Sequence, residues 1–132
     1  LALNIKSDGI SKILKKNLKK YNIKNYFVFD MSIPELIQYK KGKINFFERS
    51  SNYEKNLIFN RYSKGIWMDN FFGELDIPDT VNKKDLCFVS PECHAKKYKT
   101  IKFWKKLKKL TISSQIFICT DLPFLAKRYF DD

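Results

Sequence analysis

Leu86-Cys87-Phe88-Val89-Ser90-Pro91-Glu92-Cys93-His94 carries the pattern that decides the fold. Four consecutive apolar residues end in a Ser-Pro turn, and titratable side chains follow at once. Strict apolar/polar alternation would mark a strand with one wet face. A short continuous apolar run marks a strand covered on both faces, and such strands are as a rule parallel. The same unit recurs on either side. Residues 65–68 end in Asp69, and residues 116–119 end in Thr120-Asp121. Toward the start, residues 44–47 lead into Glu48-Arg49, residues 26–29 into Asp30, and residues 1–5 into Lys6. Six such runs predict six buried strands.

The stretches between them read as helices. Ile10, Ile13, Leu14, Leu18 and Tyr21 follow helical spacing, as do Ile101, Trp104, Leu107 and Leu110, with lysines filling the other face. Ser32 with Glu35, and Ser51 with Glu54, have the spacing of a capping box, which predicts a helix start after the second and third runs. Asp121-Leu122-Pro123 opens the last helix, with proline in the first turn, where its missing N–H costs nothing. Around Pro78 one or two helical turns are expected. Alternating strands and helices predict a parallel α/β fold, and no linker or composition break divides residues 1–132. A full eight-stranded barrel takes about 200–250 residues, so six units form about three-quarters of one. The expected architecture is an incomplete TIM barrel lacking its first two strands. The alternative is a doubly wound open sheet. Strand order distinguishes them: sequential for the barrel, reversing in mid-sheet for the open sheet.

Composition limits the function classes. Lys plus Arg number 26 against 14 Asp plus Glu, for a net charge of +12. Hydrophobic residues make up 44% and aromatics 16%, enough for a core and too much for a disordered tail. No apolar run approaches the roughly 18 residues of a membrane span. The lysines fall between apolar positions on the expected helices, so they read as solvated faces and nucleic-acid binding is not favoured. The three cysteines are read as free thiols of a reducing cytoplasm, Cys87 and Cys119 within apolar runs and Cys93 beside the single histidine, His94. Isolated glycines exclude a P-loop and a dinucleotide fingerprint. The chain opens with Leu1 inside an apolar run, which is read as a piece continuing upstream.

In a parallel α/β fold chemistry gathers at the C-terminal ends of the strands. Ser32, Asp121 and Asp30 are accounted for there as helix caps. Lys6, Arg49, Asp69 and Glu92 close apolar runs without a capping role, which makes them the candidate site residues, and His94 reads as a surface residue.

Taken in order, Leu3-Asn4-Ile5-Lys6, Phe29-Asp30-Met31-Ser32, Trp67-Met68-Asp69, Val89-Ser90-Pro91-Glu92-Cys93-His94 and Cys119-Thr120-Asp121-Leu122-Pro123 resemble successive strand ends of a known family. It is that of the glycerophosphodiester phosphodiesterase-like proteins, among the phosphatidylinositol-phospholipase-C-type TIM barrels, in a small bacterial branch. The resemblance implies a phosphodiester hydrolase of lipid metabolism. Lys6 would hold the phosphate with Arg49 as a second cation, and Trp67, Asp69 and Glu92 would shape the mouth that receives the alcohol. It places the family's two catalytic histidines and most of its metal ligands on two strands outside this sequence. No catalytic residue and no metal ligand is therefore assigned here, and the fragment alone is expected to be inactive. A divalent metal is implied for the complete protein, yet Asn4 stands where the family carries Glu, and an amide is a poorer partner for a hard cation. The expected partner is a phosphodiester small molecule or a lipid headgroup, and oligomers are expected through exposed edge strands. The other reading is a non-catalytic barrel relic, or a basic module binding anionic polymers or lipid headgroups.

Overall fold

The computed structural model describes residues 1–77, 83–111 and 114–131. Among the described residues six parallel strands, β1 (Ala2–Asn4), β2 (Phe27–Phe29), β3 (Phe47–Ser51), β4 (Gly65–Asp69), β5 (Asp85–Val89) and β6 (Ile116–Cys119), follow one another in chain order. They form a two-stranded sheet, β1-β2, and a four-stranded sheet, β3-β4-β5-β6. A single parallel bridge, Val28 to Phe46, joins the two, with Val28 N–H donating to the Asn45 carbonyl at 3.0 Å. Neither sheet contains the mid-sheet reversal of a doubly wound fold.

Alternation along each strand sorts the apolar residues into an inner and an outer layer. Phe27, Phe29, Phe47, Trp67, Cys87 and Val89 pack together on the inner side with Phe117 and Cys119. Phe27 stacks on Phe47 with ring centroids 3.8 Å apart, and Phe29 on Trp67 at 3.7 Å. The Phe117 ring of β6 lies 5.7 Å from that of Phe27 in β2. In a flat array with about 4.8 Å between strands, these two strands would stand about 19 Å apart. The strands therefore curl, bringing β6 round toward β2. Gly65 permits the tight inner packing: a Cβ there would lie 2.5 Å from both the Phe47 ring and the Asp85 carbonyl.

Helices cover the outer side. Under α1 (Ser11–Lys20) and α2 (Ile33–Gly42), Val28, Leu36, Tyr39, Ile44 and Phe46 form one outer core. Ile66, Leu86 and Phe88 form another with Phe103, Trp104 and Leu107 of α3 (Thr100–Leu107) and Ala126 of α4 (Pro123–Asp131). The stripe on α1 is narrower than its spacing suggests, because Ile13 and Tyr21 are exposed.

Two expectations need correction. Residues 44–47 do not form the third strand: Ile44 and Phe46 fill the outer core after the left-handed Lys43, and β3 begins only at Phe47. No helix follows β3. Ser51 Oγ does accept from the amides of Tyr53 and Glu54, at 3.2 and 3.0 Å, so the first half of the capping box forms. The Glu54 carboxylate that would close it pairs with Arg49, and the Ser51 amide donates instead to the Glu54 carbonyl. Five residues on, the Phe59 amide is taken by the carboxylate of Glu48, so the helix does not propagate. The turns expected around Pro78 lie mainly outside the described residues.

Beyond Ser32 the box is also only half made. Ser32 Oγ caps α2 by accepting from the Glu35 amide at 3.4 Å, but Glu35 accepts from the Gly9 amide at 2.9 Å and so ties down the β1–α1 loop. β1 and β6 end the strand order and stay partly open, with Ala2, Asn4 and Ile116 exposed.

Candidate functional site

The C-terminal ends of the strands bring two groups of charged side chains together. In the first, Lys6, just after β1, places Nζ 2.5 Å from Asp30 Oδ2. Arg49 Nη1 meets Asp30 Oδ1 at 2.8 Å, and Arg49 Nε meets Glu54 Oε2 at 2.6 Å. Asp30 holds this position from a left-handed backbone, φ 69°, which turns the chain sharply as it leaves β2. Its two oxygens are both engaged by cations, so its role is ionic rather than that of the expected cap. The hydrogen bond that Arg49 donates to Glu54, opposed by burial, raises the guanidinium above its ordinary value, with Asp30 and Asp69 adding to the effect. Lys6 is 71% exposed and Arg49 37%, so both cations can be reached from solvent.

The second group is Asp69 with His94. Asp69 ends β4 on the inner side, diagonally across from Arg49, which pairs in register with Trp67. His94 Nε2 lies 2.8 Å from Asp69 Oδ1, and the ring packs on Phe71 with centroids 4.6 Å apart. With 19% of its side chain exposed, His94 is not the free surface residue expected from its isolation in the sequence. Trp67 lies below both groups, buried against Phe29, and forms the floor of the mouth.

Glu92 sits apart from these groups. It is 5% exposed in the 3-10 turn Pro91–His94, where it accepts from Ser90 Oγ at 2.6 Å, Thr100 Oγ1 at 2.9 Å and Thr120 Oγ1. Trp104 Nε1 donates to Ser90 Oγ at 2.8 Å and extends the network. Burial alone would raise this carboxyl; the hydroxyls of Ser90, Thr120 and Thr100 outweigh it and hold Glu92 below its ordinary value. The arrangement ties the end of β5 to α3 and to the end of β6.

A cleft of about 470 Å³ opens beside Arg49, between the start of α2 and residues 53–59. Asp30, Ser32, Glu48, Arg49, Tyr53 and Asn56 contribute to its walls. Glu48 is also 5% exposed, but only its Oε1 is bonded, to the Phe59 amide at 2.8 Å, while Oε2 has no partner. Burial raises its carboxyl, against the lowering effect of the Phe59 and Ile58 amides and the charge of Lys84. Burial also pushes the Cys87 and Cys93 thiols up to about 12.

Sequence reasoning missed Asp30 and Glu54 as ionic partners and the pairing of His94. Asp30 resembled a cap, and Glu54 resembled the second half of a capping box. Nothing in the spacing of Asp69 and His94 announces that adjacent strands carry them to one another. Among the described residues no three His, Cys, Asp or Glu side chains converge as a metal set, and Asn4 offers only an amide. The described residues by themselves therefore do not make up the implied divalent-metal set. Among the described residues no helix is long and apolar enough to cross a membrane. Comparison with protein-family models, with curated proteins and with solved structures gave no match.

Proposed function

We propose that residues 1–132 are the phosphate-holding part of a phosphodiester hydrolase built as a TIM barrel. Support for the barrel comes from the chain-order strands and from the curl that brings Phe117 to Phe27. The observation that carries the function is the convergence of Lys6 and Arg49 on a single carboxylate, Asp30, at the mouth. An ammonium offers three N–H donors and a guanidinium five, and the ion pairs described use only three of them. A phosphodiester is a tetrahedral monoanion, and such cations with spare donors are what binds one. Trp67 and Asp69 stand where the alcohol part would enter, while Glu92 supports the wall behind them.

Resemblance places the acid–base histidines of such an enzyme outside this sequence. A guanidinium held above its ordinary value makes no general base, so Arg49 contributes charge and orientation. Titration of the chain with sn-glycerol 3-phosphate and with glycerophosphocholine, followed by NMR, tests the reading. Lys6→Ala and Arg49→Ala should each weaken binding about tenfold or more, the scale of a charge-assisted hydrogen bond. Arg49→Lys should recover it only in part. Absence of binding, or binding indifferent to both residues, would sink the proposal. In a hydrolysis assay the chain alone should not turn over. Turnover by the chain itself would move the acid–base role to Asp69 and His94.

A further inference from the structure

The charge is distributed unevenly along the strand axis. Most of the 14 acidic residues, among them Asp8, Asp30, Glu54, Asp69, Glu92 and Asp121, lie on segments that leave the strands at the mouth. The segments that lead into the strands, at the opposite end, have the reverse character. Residues 19–24, 40–43, 61–64, 83–84 and 105–109 feed β2, β3, β4, β5 and β6 respectively. Each contains at least two lysines or arginines and no carboxylate. Among the described residues Asp85 and Asp131 are the carboxylates at that end.

Helix geometry explains part of this. Lys19, Lys20, Lys40, Lys41, Lys105 and Lys106 stand in the last turns of α1, α2 and α3, where a cation complements the helix dipole. Lys24, Arg61, Lys64 and Lys83 are exposed and lie outside any helix, so the dipole does not account for them. Lys40, Lys43 and Lys64 line one shallow hollow with Tyr62, showing that separate segments converge on a common face. Lys84 reaches across to the Ser63 carbonyl and joins the β4 and β5 segments of that face.

We infer that this end of the molecule, opposite the mouth, docks on an anionic lipid surface. Charge complementarity supplies the attraction, as basic clusters do at membranes rich in acidic lipid. The aromatic rings separate lipid from nucleic acid as the occupant. Single-stranded nucleic acid is held by bases stacked on free aromatic faces. The exposed rings at this end, Tyr62 and Tyr21, already carry cations: Lys40 Nζ sits 3.7 Å from the Tyr62 ring centre and Lys20 Nζ 5.0 Å from that of Tyr21. Docked this way, the molecule turns its mouth toward water and takes a water-soluble substrate rather than one held in the bilayer.

The test is co-sedimentation of the 132-residue chain with vesicles of phosphatidylcholine alone, and with vesicles carrying 30% phosphatidylglycerol (roughly the acidic share of a strongly anionic leaflet). The chain should bind the acidic vesicles only, and added salt should release it. A foot variant, Lys24→Glu, Lys41→Glu, Lys43→Glu and Lys64→Glu combined, should lose about tenfold or more in affinity. A mouth-side variant with the same change in net charge, Lys12→Glu, Lys96→Glu, Lys97→Glu and Lys102→Glu, should retain most of it. The four foot lysines changed to Gln, checked by circular dichroism, give the same comparison with less strain on folding. Equal losses in both variants would reduce the effect to net charge and overturn the inference. Failure to bind acidic vesicles, or tighter binding of a single-stranded oligonucleotide at the same salt, would overturn it too.

Discussion

Two regions of the molecule bury a glutamate to the same depth and treat it in opposite ways. At the corner joining β5, α3 and β6, Glu92 is surrounded by three hydroxyls, and Trp104 reinforces one of them. On β3, Glu48 has one amide for a partner and an oxygen with none. The difference follows from what each chain does next. After β5 the chain makes a 3-10 turn and a helix, which deliver Thr100 and Trp104 to fixed places. After β3 it makes an irregular loop, which delivers backbone amides alone, those of Phe59 and Ile58. Regular structure satisfies a buried charge from several directions; a loop reaches it from one.

That contrast can be broken by substitution. Glu92→Ala should be the most damaging single change at either place. It takes the acceptor from the buried hydroxyls of Ser90 and Thr100 and from the half-buried one of Thr120, for a loss of about 3 kcal/mol in denaturant unfolding. Glu48→Ala should cost about 1 kcal/mol, since the one hydrogen bond lost is a backbone amide's, that of Phe59. If the two losses were equal, the distinction would fall.

The pH dependence should have opposite signs at the two sites. Glu92 is held below its ordinary value, so its stabilisation is complete above the unfolded glutamate range. It is lost as pH falls through the depressed folded value. Glu48 is raised, so its effect runs the other way: stability falls as pH rises from the unfolded value through the raised folded one. Stability measured from pH 3 to 7 should therefore lose part of its acid limb in Glu92→Gln. Glu48→Gln should gain up to about 1 kcal/mol at pH 7, because the amide keeps the Phe59 contact without a buried charge. A Glu48→Gln variant less stable than the parent at pH 7 would show that the charge is wanted there.

An effect smaller than that of Glu92→Ala is expected at Trp104→Phe, which removes the bond to Ser90 and costs about 1–2 kcal/mol. Least of all should change in Cys93→Ser. The Cys93 thiol is pushed to about 12 by burial, with Cys119, Asp121 and Glu92 adding their charges, so at pH 8 the folded protein should alkylate there very slowly. Rapid labelling under native conditions would mean that this corner opens.

How far the sequence could be read depended on what each residue needed to know. Continuous apolar runs disclosed five of the six described strands; β3 escaped them, because after Phe47 it buries Glu48, Ser50 and Ser51 instead of apolar side chains. Helices after β1, β2 and β6 announced themselves by stripe or cap. The missing helix after β3 did not: Ser51 and Glu54 have the right spacing, and the outcome turned on two partners brought from elsewhere, Arg49 and Glu48. The candidate site residues divided the same way. Lys6, Arg49 and Asp69 were visible as charges ending apolar runs, whereas Asp30 and His94 acquire their roles only when neighbouring strands meet. Glu92 resembled a mouth residue because position along a strand says nothing about the hydroxyls of Thr100 and Thr120.

The ring of Phe117 against that of Phe27 bears on how the chain is made. A ribosome releases β2 long before β6, so the inner aromatic layer stays open to water while the middle of the protein is synthesised. Local pieces such as β1-α1-β2 can form early, since their contacts are near in sequence. The inner layer must wait for residues 116–119, and until then Phe27, Phe47 and Trp67 present a sticky surface. Such an order of events makes the nascent chain a natural client for chaperones. It also means that a stop codon anywhere before β6 would leave the inner aromatic face uncovered on that side.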